Sequence, residues 1–380
     1  MKPSRRNFLA AGLALPAAET SLASVASAAA PAEPKFEYRT LGKTGLKVTS
    51  VGFGCMITSD ASVVERAADI GITYFDTARG YQSGNNERMV GAALKGKRKN
   101  LVLSTKSHAY TKQAALNDLD TSLAQLQTDY VDIWYLHAKS KPSELLDELL
   151  EAQRVAKQAG KIRFAGVSTH AGQKELLPAV VQTGHFDVIL TSYNFSMDPE
   201  MEGLIAGAAK AGTGIVAMKV MAGGFRRVKP GDALYNILKR DGAMLAALKW
   251  VLKNPNVHTT IPSMTDMDQL DENLKAMSSR FSEADQKLIA RQLDYIRPLY
   301  CRMCGSCEGT CAKGLPVSDV LRYLTYADGY GQFSLARERF LELPGELRQV
   351  RCGDCAECTV RCPNGVQVAE RLKRAQELLA

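Results

Sequence analysis

Eight of the nine cysteines fall in two copies of one spacing, Cys301-x-x-Cys304-x-x-Cys307-x-x-x-Cys311 and Cys352-x-x-Cys355-x-x-Cys358-x-x-x-Cys362-Pro363. Thiolates at two-residue gaps can converge on one inorganic cube, while the fourth, three residues further on, points away and ligates the other cluster. The spacing predicts two [4Fe–4S] clusters, one on Cys301, Cys304, Cys307 and Cys362, the second on Cys352, Cys355, Cys358 and Cys311. Gly305, Ser306, Gly309 and Gly353 leave room for backbone to wrap closely round such a core. The alternatives are zinc, which usually asks for two separated ligand pairs per ion, and disulfides, which the even count permits.

A second set of reactive side chains is spread through the first half of the chain: Asp76, Tyr81, Lys106 and His137. A tyrosine works as an acid near neutral pH only if its phenol is made more acidic, and a nearby ammonium does that by stabilising the phenolate. Lys106 would supply the charge, Asp76 would hold the lysine, and His137 would orient a substrate carbonyl. Singly, each has a plainer explanation, such as a helix cap or a satisfied structural histidine.

These four meet only if the intervening elements bring them together. Short β-branched runs at Ser50–Gly54, Ile72–Asp76, Leu101–Lys106, Val131–His137, Ile162–Ser168, Val188–Ser192, Gly214–Val220 and Val257–Ile261 alternate with amphipathic stretches near Val63–Ile70, Asn86–Leu94, Gln113–Leu126, Glu144–Ala159, Gln173–Val181, Met201–Ala211, Met244–Leu252 and Met267–Met277. Eight such units predict a closed (β/α)8 barrel, whose active site lies where the strands end. Asp76, Lys106 and His137 end consecutive strands. An open doubly wound sheet is the runner-up, but no Gly-x-Gly-x-x-Gly follows the first strand. Residues 38–48, with Gly42-Lys43-Thr44-Gly45 at their centre, read as a hairpin over the opposite mouth.

The motifs Phe75-Asp76-Thr77-Ala78 with Tyr81, Gly84-Asn85-Asn86-Glu87, Ser104-Thr105-Lys106, Thr128-Asp129-Tyr130-Val131-Asp132 with His137, Gly166-Val167-Ser168, Tyr193-Asn194 and Ile261-Pro262 with Glu272-Asn273 stand in the order seen in aldo-keto reductases. From Phe36 to Arg297 the chain resembles that family. The resemblance implies a catalytic tetrad of Asp76, Tyr81, Lys106 and His137, with Tyr81 as proton donor to a carbonyl receiving hydride from NAD(P)H. It also implies cofactor contacts from Ser168, Tyr193, Lys219, Ser263, Gln269, Glu272 and Asn273. Residues 298–380 resemble a helical ferredoxin-like domain, and the whole is similar to the branch of the family with a fused iron–sulfur module. The sequence departs from the family where Thr169 and His170 follow Ser168, where Leu190 stands in place of a glutamine, and where Met218 replaces an aromatic residue. Ser263, Met264 and Gln269 stand where cationic donors usually grip a 2′-phosphate.

Ser4-Arg5-Arg6-Asn7-Phe8-Leu9 and the Ala/Gly/Leu stretch to Ala18 resemble a twin-arginine export signal. Its apolar run ends at Glu19, short of the roughly 20 residues of a spanning helix, so no transmembrane segment is expected. Cleavage at Ala26-Ser27-Ala28 would leave a chain beginning near Ala29, with a linker over residues 31–35. Export of an already folded protein suits the cysteine pattern, because clusters are built into reduced thiolates. A periplasmic or otherwise exported location follows; a cytoplasmic enzyme with an unused leader is the alternative. The formal net charge of +8 comes without a basic helix interleaved with aromatics, so nucleic acid is not an expected partner.

The leading expectation is an exported oxidoreductase acting on a small carbonyl or alcohol, its cysteine-rich domain exchanging electrons with an external protein, serving a further cofactor in the barrel, or acting as a structural or docking module; the residues leave these three open. The rival is an electron-transfer or docking protein whose barrel no longer performs nicotinamide chemistry. Cys55 reads as a small buried hydrophobe, His170 as a loop residue, and Arg226, Arg227 and Lys229 as a loop that could meet a pyrophosphate.

Overall fold

Each of the eight apolar runs becomes a strand in the computed structural model, which describes residues 36–225, 231, 235–237 and 242–380. The arginine pair, the cleavage site, the linker and the basic loop at Arg226, Arg227 and Lys229 lie outside the described residues. The hairpin of β1 (Tyr38–Thr40) and β2 (Lys47–Thr49) comes first and is antiparallel. Then follow β3 (Phe53–Gly54), α1 (Ala61–Asp69), β4 (Tyr74–Asp76), α2 (Asn85–Ala93), β5 (Val102–Ser107), α3 (Lys112–Leu126), β6 (Val131–Leu136), α4 (Asp147–Gln158), β7 (Ile162–Thr169) and α5 (Gln173–Thr183). The series continues with β8 (Val188–Ser192), α6 (Glu200–Lys210), β9 (Gly214–Met218), α7 (Ala243–Leu252), β10 (Thr259–Thr260), α8 (Met267–Ser278) and α9 (Glu283–Ile296).

Strands β3 to β10 pair in parallel, each with its neighbour in chain order. The ends of this sheet meet. Gly52 N donates to Thr260 O at 2.8 Å, Thr260 N donates to Ser50 O at 3.0 Å, and Val51 bridges Thr260. Gly54 suits this seam, since a Cβ there would stand 2.5 Å from the Ile261 carbonyl oxygen. The result is the (β/α)8 barrel expected from the alternation.

Because side chains alternate across a strand, Tyr74, Val102, Ile133, Tyr135, Leu190 and Val216 fill the barrel, and Leu41, Leu46 and Val48 of the hairpin close its lower end. The opposite faces, including Phe75, Leu103, Trp134 and Ile189, pack under the helices. Full burial of each such side chain contributes roughly 1.5–3 kcal/mol.

The C-terminal segment is helical: α10 (Val317–Asp328), α11 (Phe333–Leu341), α12 (Gly345–Gln349) and α13 (Val368–Leu379). Val320, Leu321 and Leu324 of α10 meet Ala336 and Phe340 of α11 and Leu372, Ala375 and Leu379 of α13. Arg371 and Arg374 both clamp Asp328, at 2.9 and 2.8 Å. The segment is fastened to the barrel through Arg302 Nη1 donating to Ser196 O at 3.1 Å and Asn194 Nδ2 donating to Tyr300 Oη at 3.4 Å. Among the described residues no helix is long and apolar enough to cross a membrane.

Candidate active site

Parallel register sets Asp76 beside Ser104 and Lys106 beside Tyr135, so consecutive strands end together at one mouth. The Lys106 ammonium donates to Asp76 Oδ2 at 2.5 Å, to the Thr77 carbonyl at 2.6 Å and to Tyr81 Oη at 3.3 Å. Ser104 Oγ donates to the other Asp76 oxygen at 2.7 Å, which gives the Ser-Thr-Lys run its purpose. Tyr81 opens a turn in which Gln82 and Ser83 take left-handed φ values of 51° and 52°. Gln82 Nε2 donating to Thr58 O at 2.9 Å, and Asn86 Nδ2 donating to Cys55 O at 2.8 Å, hold that costly turn against the first barrel strand. His137 meets Tyr81 edge to face at 5.9 Å and stacks on His108 at 3.8 Å.

The electrostatics correct one expectation. Lys106 was expected to acidify Tyr81, but burial, then the Asp76 carboxylate, push the phenol well above its ordinary value of 10.0. An ammonium already paired with a carboxylate projects little net charge. Burial likewise pushes Asp76 up and Lys106 down, and their mutual attraction offsets part of both. His137 is held well below 6.5 by burial, then by His108 and Lys106, and His170 by burial, then by Lys219 and Arg322. Part of the His108 ring reaches solvent, yet the protein packed around it, then Arg339, lowers it to about 4. All three imidazoles are therefore neutral at pH 7.

A cleft of about 760 Å³, measured to its open mouth, runs from Tyr81 and Asp76 past His170 and Lys219 to Ser263, with Tyr326 and Tyr330 of the C-terminal segment on its far wall. Lys219 and Ser263 thus stand where cofactor contacts were expected. Ser168 is buried at the end of β7, its hydroxyl accepting from Ala138 N at 2.9 Å. On α8, Asn273 is buried and Glu272 half-buried, while Gln269 Nε2 donates to Thr265 Oγ1 at 2.9 Å. Tyr193 is a correction: its ring packs on Trp250 at 5.0 Å and its hydroxyl accepts from Asn254 at 3.2 Å, beneath the outer helices rather than in the cleft. Cys55 is fully buried, and burial pushes its thiol far up, as suits an inert side chain.

None of the nine cysteines is in a disulfide. Cys301, Cys304, Cys307 and Cys362 are among the residues that line one recess. Burial pushes Cys301 up to about 12, with Cys307, Cys304 and Cys362 adding to the rise. Cys352 is raised by burial and then by Cys311, Cys355 and Cys358. The first of these groups draws on both runs. Among the described residues no three His, Cys, Asp or Glu side chains close on a point as the ligands of one ion do.

No motif in the sequence marks His108, Lys139, Arg322, Arg339, Tyr326 or Tyr330. For His108 a signal existed, two residues beyond Lys106 at a strand end. The C-terminal residues carry no such signal, because only docking of α10 and α11 brings them to the mouth.

The model of the Aldo/keto reductase family matches residues 58–293. L-galactose dehydrogenase of Arabidopsis thaliana is 28% identical over 290 residues, covering 64% of this chain and 89% of that protein. An uncharacterised oxidoreductase of Bacillus subtilis, YqkF, is 27% identical over 287 residues, covering 64% and 91%. Among solved structures, the holo form of aldo-keto reductase AKR11C1 from Bacillus halodurans superposes with a TM-score of 0.59 at 26% identity, covering 68% of this chain and 96% of its own. The thermostable aldo-keto reductase Tm1743, in complex with the inhibitor epalrestat, gives 0.55 at 30% identity, covering 67% and 99%. By fold, by strand-end motifs and by these matches, the chain is an oxidoreductase that belongs to the aldo/keto reductase family.

Proposed function

We propose that the protein interconverts a small carbonyl compound and its alcohol, with Tyr81 giving the carbonyl oxygen its proton or taking it back. The observation that carries this reading is the Lys106 ammonium bonded to both Asp76 and Tyr81 beneath the edge of His137. Burial keeps the Tyr81 phenol protonated in the resting site. Lys106, whose ammonium donates to the Tyr81 oxygen at 3.3 Å, then holds the phenolate left behind by that hydrogen bond, and the neutral His137 can hydrogen-bond the substrate oxygen. The names of two relatives, L-galactose dehydrogenase and L-glyceraldehyde 3-phosphate reductase of Escherichia coli, favour a short polyhydroxylated substrate.

Reduction of a carbonyl takes two electrons and two protons. A nicotinamide would bring both electrons as hydride, and Ser168, Lys219, Ser263, Glu272 and Asn273 are the residues that would hold it. The two cysteine groups fit [4Fe–4S] clusters, which exchange one electron each; four thiolates on separate corners of a cube stand wider apart than the ligands of one ion. A specific contact favours electrons reaching the cleft through the clusters. Lys219, on the cleft wall, points its ammonium at Met303 Sδ, 3.8 Å away and between Cys301 and Cys304 in sequence. In this second reading an external electron-transfer protein replaces the nicotinamide, and residues 298–380 are the module that receives it.

Export completes the proposal: the arginine pair directs the folded, cluster-bearing protein out of the cytosol, and a mature N-terminus near Ala29 in fractionated cells tests it. The central experiment is anaerobic purification with iron, sulfide and nucleotide analysis, followed by turnover of wild type and Tyr81→Phe. Loss of carbonyl turnover by about 10²–10⁴-fold with iron content unchanged is expected. Undiminished turnover in Tyr81→Phe refutes the proton-donor role, and fewer than about four irons per chain refutes the paired clusters.

A further inference from the structure

We propose that the substrate carries an anionic group, carboxylate or phosphate, which Arg322, Arg339 and Lys139 hold over the Tyr81 and His137 end of the cleft. This rests on the reading of that end as the carbonyl site and adds the charge of what enters it. Arg339 of α11 donates Nη1 to both Glu342 oxygens at 2.9 Å. Its Nη2 lies 3.5 Å from where a Cβ on Gly80 would stand, beside the residue that precedes Tyr81. Arg322 of α10, with its side chain 16% exposed, donates Nη2 to Asp319 at 2.8 Å and keeps a buried Nε without a partner among the described residues. Lys139 follows β6 and is 3% exposed; its ammonium lies over the Tyr110 ring at 4.8 Å, a cation–π contact.

Among these cations sit the three neutral imidazoles, and Nδ1 of His137, a residue 7% exposed, and Nδ1 of His170 are buried with no hydrogen-bond partner. A buried polar atom left unpaired is costly. The charged side chains that act on the three rings are cationic, Arg339, Lys139, Arg322, Lys106 and Lys219, and of these Arg339, Arg322 and Lys106 are each paired with a carboxylate, of Glu342, Asp319 and Asp76. A ligand with negative charge and several acceptor oxygens can take hydrogen bonds from the orphaned nitrogens and from the guanidinium N–H groups that the carboxylates leave open. A guanidinium fork matches the oxygens of a carboxylate or a phosphate. The barrel would thus supply the proton donor while α10 and α11 supply the group that selects the substrate.

The test is calorimetric binding to the full-length, anaerobically purified protein, with para-formylbenzoate against its methyl ester and glycolaldehyde phosphate against glycolaldehyde. The charged member of at least one pair should bind about tenfold tighter or more, with the advantage shrinking as salt is raised. The winning pair distinguishes carboxylate from phosphate. In Arg339→Gln and in Arg322→Gln the ratio should fall toward one. Equal binding within both pairs, or binding of none of the four, overturns the proposal, as does a preference that survives both substitutions and Lys139→Gln. The wild-type comparison decides even where a variant misfolds. Tyr81→Phe separates the two readings: it should keep the charge preference while losing turnover, and turnover that persists beside the preference removes the proton-donor role alone.

Discussion

The Lys106 ammonium lies 2.5 Å from the Asp76 carboxylate, with at most 2% of either side chain open to solvent. Removing one partner of such a pair leaves the other charge stranded in the interior. Asp76→Asn should therefore destabilise the protein by about 3–5 kcal/mol, read as a lowered urea midpoint. The double variant Asp76→Asn with Lys106→Met removes both charges and should recover much of that stability while remaining inactive. A double variant no more stable than the single one would show that the pair matters through something other than its charge.

Docking of the C-terminal helices turns on a backbone contact. A Cβ on Gly329 would stand 2.2 Å from the Gly223 carbonyl oxygen and 2.8 Å from that of Thr325, and neither main-chain atom can yield as a side chain would. Gly329→Ala should loosen α10 from the loop after β9, seen as faster amide exchange in residues 317–330 and a lower melting temperature. Gly207→Ala, on α6 with nothing within 4 Å, is the control. It should stabilise the helix by up to about 1 kcal/mol.

The mouth histidines predict a pH response. Unfolded, His108 titrates near 6.5; folded, it titrates at about 4. Between those values the unfolded chain binds more protons, so stability rises with pH across the interval and its full contribution is present above 6.5. His137 and His170, held well below 6.5, act in the same sense. Melting temperature should climb from pH 4 to pH 6.5, and His108→Gln should flatten part of that slope. An identical slope in the variant would remove His108 from the account.

The crossed cysteine groups separate two substitutions that lie in different runs. If the two proposed clusters are held crosswise, Cys362→Ser should deplete the one assigned to Cys301, Cys304 and Cys307, and Cys311→Ser the one assigned to Cys352, Cys355 and Cys358. Anaerobic iron counts together with electron paramagnetic resonance of the reduced protein check this. If Cys362→Ser instead abolished the signal tied to Cys352, Cys355 and Cys358, each run would hold its own cluster.

Much of the barrel and its site was legible in the residues. Tyr74 and Asp76, Val102, Ser104 and Lys106, and Ile133, Tyr135 and His137 each keep the inward parity of a strand. Apolar residues deep in the barrel and polar ones at its mouth therefore announced both fold and tetrad. The same parity explains the error at Tyr193: Val188 and Leu190 face inward, so Tyr193 falls with Ile189 on the outer face, against Trp250. The error at Tyr81 was one of magnitude, since burial outweighs a lysine whose charge Asp76 already opposes.

Local periodicity and spacing alone determined the eight strand–helix units, the polar strand ends and the repeated cysteine runs, because each depends only on residues near one another in the chain. Only the tertiary structure decided what faces the mouth from beyond the barrel. Arg322, Tyr326, Tyr330 and Arg339 lie some two hundred residues or more from Asp76, Tyr81 and Lys106, and no local pattern fixes how α10 and α11 dock. That is settled by non-local packing, by the close backbone approach of Gly329 to Gly223, and by the Lys219 side chain reaching Met303.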